Sequence, residues 1–486
     1  MIEQRWPDGL PIGEDWQRVP GSEEVIFPHD GSVIGTAPVG DQAVAARAVD
    51  HAAALADVVG ALPSRIRRGA LQRALAELRG QRAELEQLLV AETGKPLIDC
   101  RVEVDRALLT LELSAEEVAR LHGETVPLDL LPSGDGLIGF WQRRPIGVVV
   151  GIAGFNYPFL LAMHKIAPAL AAGCPVIVKP APQTPLATLW LVDVLRRALV
   201  AEGAPAGAVQ LVTGDAAVGR ALTTDPRVGA VSFTGSAAVG HAIARDAAPT
   251  KVLLELGSNA ALVVAADADL AAAADAVIRG GYYASGQACI SVQRVIVVEE
   301  VREAFLAELA PRLAEVVVGD PRDPKTRVAA LIDERSTRRV RDWLAAAQAA
   351  GGEIIAGGRL VGGAIEPTVL VDPPVVTEAW AEEIFGPVVA VRSVPDLAAA
   401  IDLVNDSRYG LHVAIFTASL AAAFAAVERI EAGGVVVNEV PGFRSDVMPY
   451  GGVKDSGAGR EGPRFAIEEL TVTRMAIIRP DTRAGA

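Results

Sequence analysis

Cysteine is scarce in this chain: three among 486 residues, at positions 100, 174 and 289. An odd number so widely spaced builds no disulfide framework, which argues against a stapled secreted scaffold and for thiols kept reduced. Aromatic residues are few, so the core must be built from Ala, Val and Leu. A composition half hydrophobic and Ala-rich favours an α/β enzyme with helices covering a parallel sheet. Positive charge is in short supply: the formal net charge is −15, with no basic face to offset it, which argues against nucleic acid as a partner. Long hydrophobic runs are missing too. The longest, such as Ile146 to Phe155, stop well short of a membrane span, so no membrane partner is expected. The amino terminus, Met1 to Trp6, lacks the basic-then-apolar pattern of a secretory signal. No metal site is expected either. What remains is a soluble cytoplasmic enzyme, too long for one simple core and divided into two or three domains.

Turn chemistry and short β-type runs in residues 7 to 40 predict an entry hairpin region. Helical periodicity dominates from Asp41 to about Leu121, broken at Thr93-Gly94-Lys95-Pro96, where Gly ends one helix and Pro forbids its continuation. The helix starting near Leu97 carries Arg106, which on its own reads as a solvated helix charge. Residues 123 to 144 form an extended arm of a kind that often pairs with another subunit. From Pro145 the texture becomes strand, loop and helix in repetition. Strands are expected at Ile146–Ala153, Pro175–Lys179, Val209–Thr213, Ala230–Thr234 and Lys251–Leu256, with helices at Phe159–Ala172 and Leu186–Glu202. That order indicates a doubly wound sheet whose ligands sit at the carboxyl ends of its strands.

Several side chains stand at those strand ends. The turn Phe233-Thr234-Gly235-Ser236, with Gly240 beyond it, lets a pyrophosphate approach the helix amides, although a plain strand-to-helix turn reads equally well. Lys179 is either a ribose ligand or a surface lysine. Asn156 is an oxyanion donor or a turn residue. Glu255 closes an apolar strand, where burial raises a carboxylate toward a base useful near neutral pH. Further on, Gly286-Gln287-Ala288-Cys289-Ile290 places a thiol between small residues that leave room for a substrate carbon. The thiol attacks only as thiolate and needs a neighbour that stabilises it; the alternative is a packed cysteine. Cys100 and Cys174 read as packed thiols. Residues 260 to 320 hold an Ala-rich helix, the Cys289 loop and a strand Arg294–Val298, with a turn at 319–324 ahead of Val328 to Ile332. Strands and helices alternate to about Val437, a second α/β domain, and Gly433–Asn438 leads into a loop carrying Arg444. Leu470–Ile478 reads as a strand pairing with the 123–144 arm of a neighbouring subunit, and Arg479–Ala486 as a frayed end.

These signatures together resemble the aldehyde dehydrogenase superfamily over nearly the whole chain. The resemblance is carried by Phe155-Asn156-Tyr157-Pro158, Lys179-Pro180, Phe233-Thr234-Gly235-Ser236, Glu255-Leu256-Gly257 and Gly286-Gln287-Ala288-Cys289. It continues with Glu382-Glu383-Ile384-Phe385-Gly386-Pro387, Pro449 to Lys454, Ser456-Gly457 and Gly459-Arg460-Glu461. It implies a modified Rossmann cofactor domain at 1–122 and 145–256, a catalytic domain at 257–455, and an oligomerisation arm at 123–144 and 469–486, in a homodimer or homotetramer. It implies that Cys289 attacks the aldehyde carbon, Asn156 and the Cys289 N–H hold the oxyanion, Glu255 activates water, and Lys165 with Glu461 relays protons. It further implies NAD or NADP as cofactor, with Lys179 on the adenosine ribose, Gly235, Ser236 and Gly240 around the pyrophosphate, and Glu383 and Phe385 at the nicotinamide end. Ile152, Ala153, Phe155, Pro182, Gly214, Phe233, Thr234, Leu256 and Gly257 complete that cleft.

Two departures from the family pattern matter. Pro182 stands where many NAD-preferring members carry a glutamate, which leaves NAD against NADP open. Ser258-Asn259 replaces Gly-Lys, and with Cys289 to Arg294 it resembles the branch of lactaldehyde dehydrogenases and relatives acting on small hydroxy-aldehydes. Arg106, Tyr157, His164, Ile290 and Arg444 fall near the substrate funnel. Two arginines there favour a carboxylate, sulfonate or phosphate tail, unless they make structural salt bridges. The expected substrates are lactaldehyde, sulfolactaldehyde, glyceraldehyde 3-phosphate or a semialdehyde such as succinate semialdehyde. The rival readings are a CoA-acylating dehydrogenase, against which Glu255 speaks, a thiol-dependent hydrolase, and a non-catalytic structural member of the fold.

Overall fold

The computed structural model describes residues 4–480. Two β-hairpins open the chain, Leu10–Ile12 with Asp15–Gln17 and Gly21–Ile26 with Val33–Val39. Four helices follow: α1 (Gln42–Gly60), α2 (Ser64–Gly80), α3 (Arg82–Thr93) and α4 (Leu97–Glu117). Asp41 caps α1 by accepting from Val44 N–H at 2.8 Å. α3 stops at Gly94, whose φ of +69° a side chain would resist, and Pro96 starts α4 in a new direction.

The first sheet has six strands in the order Gly457–Ala458, Lys251–Glu255, Val228–Thr234, Val148–Ile152, Val176–Lys179, Val209–Leu211. The last five run parallel. Their side chains are buried on both faces, under α1 on one side and α5 (Pro158–Ala172) with Leu186–Ala201 on the other, so apolar residues run continuously instead of alternating. The second sheet has seven strands, with Ala261–Val264 and Arg294–Val298 at its centre. Here the pleat sorts residues into two cores: Leu262, Val264, Val295 and Val297 face one, Ala261, Val263 and Ile296 the other. The short strand Gly457–Ala458 returns from the second unit and pairs antiparallel with the end of Lys251–Glu255, Gly457 opposite Glu255. That return brings the 446–461 segment beside the carboxyl ends of the first sheet.

The arm is a three-stranded sheet of Thr471–Ile478, Ile138–Pro145 and Glu124–Val126. The carboxyl-terminal strand, expected to pair with a neighbour's arm, pairs along one edge with its own chain's arm, Thr471 opposite Pro145 through Ile478 opposite Ile138. The reason is local. The helix Pro463–Glu469 packs on α5, and Ile146 N–H donates to Leu470 O at 3.0 Å, so the chain emerges in register with its own strand. The expected frayed end lies, from residue 481 onward, outside the described residues. Among the described residues no helix is long and apolar enough to cross a membrane.

A chain ending at Leu470 leaves Ile138–Pro145 with an unpaired edge carrying the exposed Ile138. Size-exclusion chromatography with light scattering is expected to show aggregation of that truncated protein, and a monodisperse species of wild-type size would contradict it.

Candidate active site

One cavity of about 860 Å³ runs from the turn after Val228–Thr234 to the Cys289 loop. Asn156, Glu255 and Cys289 line it together, with Glu383 and Phe385 on one side and Arg106, His164 and Arg444 on the other. Phe155, Tyr157, Thr234, Gly235, Ser236, Leu256, Gly257 and Ile290 belong to the same wall. These residues are distant in sequence. They meet because Asn156, Thr234 and Glu255 stand at the carboxyl ends of neighbouring parallel strands, over which the Cys289 loop folds.

Cys289 is half-buried, and its sulfur lies 3.2 Å from the Tyr450 hydroxyl. Burial pushes the thiol up to about 12, with the Tyr450 hydrogen bond pulling the other way. Burial likewise holds the Tyr450 hydroxyl well above its ordinary value, so it remains a phenol able to donate. The Asn156 side-chain amide donates to Gln287 O at 2.8 Å, tying its loop to the backbone just before the cysteine. The loop itself is strained: Ala284 and Ser285 have φ of 49° and 56°. Gly286 has φ +74°, and a Cβ there would stand 2.0 Å from Gly386 O. The run Val328 to Ile332 packs beneath, where Ala329 and Ile332 N–H donate to the side chains of Ser285 and Gln287 at 2.9 and 3.0 Å.

Behind the cavity lies a buried charge network. Glu461 accepts from Lys165 Nζ at 3.3 Å and Arg444 Nη2 at 3.2 Å, and lies 2.9 Å from His164 Nδ1. Lys165 also donates to Thr234 Oγ1 at 2.7 Å, in the turn ahead of Gly235. Burial pushes Glu461 up, but His164 and Lys165 outweigh it and hold the carboxyl well below its usual range. Glu255 goes the other way: burial first, then repulsion by Glu461, holds it well above, and its Oε2 has no hydrogen-bond partner. The two neighbouring carboxyls are thus driven apart, Glu461 toward its ionised form and Glu255 toward its protonated form. Arg106 is bidentate to Asp446, at 2.8 and 3.2 Å, so it is an ion-paired residue and not a free surface charge. Arg444 stacks over the Tyr450 ring at 3.7 Å.

The remaining predicted positions stand further out. Lys179 is buried at its strand end, its ammonium pushed down by burial, with Asp215 as the nearby counter-charge. Pro182 and Gly214 line a separate cavity of about 550 Å³, together with Glu23, Asp41 and Asp215. Ile152 and Ala153 end the central strand, the Phe233 ring fills the space beside Gly235, and Gly240 lies against Leu256.

Three observations fit a dinucleotide in the main cavity. The helix Ala237–Asp246 begins at Ser236 with no side-chain cap, leaving its first N–H groups available for a pyrophosphate. Gly257 has Glu383 pressed so close that a Cβ would fall 2.7 Å from its carboxylate. Glu383, in turn, is pushed up to about 7 by burial while accepting from Ser258 N–H at 3.0 Å. The loop carrying Glu383 and Phe385 is bracketed by Asn259, which donates to Trp380 O and Ala381 O, and by Gln293, which bonds Glu382 O and Ile384 N–H.

The profile of the "Aldehyde dehydrogenase family" matches residues 16–476. The chain belongs to the aldehyde dehydrogenase family. A 3-sulfolactaldehyde dehydrogenase of Priestia megaterium is 39% identical over 409 residues, 84% of this chain and 85% of that one. Among solved structures, aldehyde dehydrogenase 21 of Physcomitrella patens, in complex with the reaction product succinate, superposes with TM-score 0.93 at 34% identity, covering 98% of this chain and 99% of that one. Glyceraldehyde-3-phosphate dehydrogenase of Methanocaldococcus jannaschii, complexed with NADP, gives TM-score 0.91 at 34% identity, covering 95% and 100%.

For this aldehyde dehydrogenase, residue-type reasoning assigned no role to Tyr450 or Tyr283, which line the cavity, or to Asp446, Gln287 and Lys95, which bond Arg106 and Asn156 there. Tyr450 stood inside a quoted motif, but nothing in a tyrosine between Pro and Gly announces that it faces a sulfur 161 residues away.

With the thiol near 12, the thiolate fraction rises about tenfold per pH unit across the neutral range. Iodoacetamide alkylation of Cys289 should therefore accelerate steadily to pH 9 without a plateau, and a plateau below pH 8 would sink this reading. Tyr450→Phe removes the hydrogen bond that favours thiolate, and alkylation at fixed pH should slow roughly tenfold.

Proposed function

We propose that the chain oxidises a small aldehyde to its carboxylic acid with NAD+ or NADP+, through covalent chemistry on Cys289. The observation that carries this is the convergence of Cys289, Asn156 and Glu255 on one cavity beside an uncapped helix N-terminus. Cys289 gives its proton to the Glu255 carboxylate and adds as thiolate to the aldehyde carbon, and its own backbone N–H with the Asn156 amide stabilises the resulting oxyanion. For that the amide must turn some of its donor capacity from Gln287 O toward substrate. Bound cofactor supplies the hydride acceptor that converts the thiohemiacetal into a thioester. Glu383 and Phe385 would hold its nicotinamide end, Ser236 and the following N–H groups its pyrophosphate, and Lys179 its ribose.

Glu255, as carboxylate once it has passed on the thiol's proton, then takes a proton from the attacking water. Its raised affinity for protons suits a base working near neutral pH, and the adjoining Glu461 and Lys165 give that proton a buried route away. A CoA-acylating reaction has no use for such a carboxyl beside the thiol. A non-catalytic role leaves the strain at Ala284 and Ser285 without purpose.

The funnel supports a substrate with an anionic or hydroxylated tail, in the class of lactaldehyde, sulfolactaldehyde, glyceraldehyde 3-phosphate or succinate semialdehyde. Arg106 and Arg444 are each paired with a carboxylate, and His164 Nε2 and Arg444 Nε face Asp446 Oδ1 at 3.5 and 3.8 Å. The two guanidinium groups nonetheless line the cavity wall together, which favours an anionic tail beside them. An oligomer is supported by apolar side chains left exposed on one helix, Leu420, Phe424 and Val427, and on the arm, Val472, Met475 and Ile477. A cytoplasmic setting agrees with three free thiols.

Absorbance at 340 nm with each cofactor against neutral, hydroxy and anionic aldehydes tests the core of this reading. Cys289→Ala should abolish cofactor reduction, and Glu255→Gln should lower steady-state turnover roughly 10²- to 10⁴-fold while leaving a first-turnover burst. Activity surviving in Cys289→Ala would refute the covalent route. For the funnel, Arg106→Ala should raise KM for anionic aldehydes at least about tenfold, with neutral ones changed little. Equal loss on both kinds would show that Arg106 only holds Asp446.

A further inference from the structure

The turn ahead of α4 and its first two turns carry three buried charges, Lys95, Asp99 and Glu103, that have no part in the chemistry above. Lys95 and Glu103 are 2% and 0% exposed and form an ion pair. Lys95 Nζ also donates to Asn156 O at 2.7 Å and sits 3.6 Å from the Tyr157 ring centre. The second oxygen of Glu103 accepts from Phe159 and Leu160 N–H, at 2.9 and 3.1 Å. Those residues open α5, which starts with Pro158 and whose N-cap, Tyr157, makes no side-chain bond. Glu103 thus supplies from another helix the cap that α5 lacks.

One helical turn before Glu103, on the same face, Asp99 Oδ2 accepts from Ala284 N–H at 2.9 Å. Ala284 is the first of the two left-handed residues leading to the cysteine. A conformation so unfavourable for a residue with a Cβ persists only where its surroundings fix it, and Asp99 is one of the groups that fix it. The Asn156 amide bonded to Gln287 O closes the figure: α4 holds each loop, and the loops hold each other.

We propose that Lys95, Asp99 and Glu103 are positioning residues that set the Asn156 loop and the Cys289 loop in the mutual geometry the oxyanion pocket requires. This rests on the assignment of Asn156 and Cys289 as its two sides. Neither loop has a regular hydrogen-bond ladder to define it. Buried charges that must be fully bonded admit one arrangement, and catalysis is sensitive to small displacements of the groups they hold.

The test uses full-length protein with Glu103→Gln, Asp99→Ala and Asp99→Asn. Amide hydrogen exchange, which needs no turnover, is followed at residues 154–160 and 283–290 and, as a control on the fold, in the strands Ala261–Val264 and Arg294–Val298. Glu103→Gln should speed exchange in the first segment and Asp99→Ala in the second, with the control strands unchanged. In turnover assays kcat should drop by roughly 10- to 100-fold while KM for the cofactor stays within about threefold. Asp99→Asn, which keeps an acceptor for Ala284 N–H, should recover most of the kcat lost in Asp99→Ala. Wild-type kcat in the folded variants, or no difference between Asp99→Asn and Asp99→Ala, overturns the proposal. So does exchange that rises equally in the control strands, since the role is then general stability. A wild type inactive on every aldehyde, whose loops still loosen in the variants, counts against the oxyanion reading and for the bracket.

Discussion

Charge removed from water beside a reactive thiol is the constraint around which this enzyme is arranged. Each buried carboxylate or ammonium costs several kcal/mol unless its hydrogen bonds are met inside the protein. Glu461 meets that demand with Lys165, His164 and Arg444, and the result reaches beyond stability. The Glu461 charge next door discourages a second negative charge and, with burial, holds Glu255 well above the usual carboxylate range. The same exclusion of water raises the Cys289 thiol.

The second theme is that irregular backbone is held by side chains. Backbone groups of the turns around Asn156, Cys289 and Glu383 are met by Glu103, Lys95, Asp99, Asn259 and Gln293, while Ser285 and Gln287 of the Cys289 loop accept from Ala329 and Ile332 N–H beneath it. Such bonds are directional, so they define positions more sharply than apolar packing does. The two parallel sheets supply the rigid base. Their strand ends fix where each loop starts, and the side-chain bonds fix where it goes.

Much of the fold is legible in the chain itself. The strands of the first sheet follow from continuous apolar runs between turn residues, and the break at Gly94-Lys95-Pro96 follows from what Gly and Pro permit. That Cys289, Asn156 and Glu255 belong together was legible only from the set of motifs and their order, since a thiol among small residues or an amide after a strand reads locally as a packed cysteine or a turn residue; the structure brings all three to one cavity. Arg106 was not legible in the same way. A helix arginine looks alike whether it faces water or bonds Asp446, 340 residues away. The carboxyl-terminal strand shows the same limit. Its alternation marks a strand, but the partner is set by where the helix Pro463–Glu469 docks.

The sequence by itself determined the element types and the series of strands and helices in the first α/β unit, because these depend on periodicity and turn residues, and its motifs carried the resemblance that implies the residue chemistry of the site. Only the tertiary structure decided that Tyr450 meets the sulfur, that Glu461 is pushed toward its ionised form and Glu255 away from it, and that Asp99 and Glu103 on α4 bond the two loops lining the cavity. Those outcomes depend on distances between residues far apart in the chain and on how much water is excluded from between them. Electrostatics inside a protein is set by that geometry, which no single stretch of sequence contains.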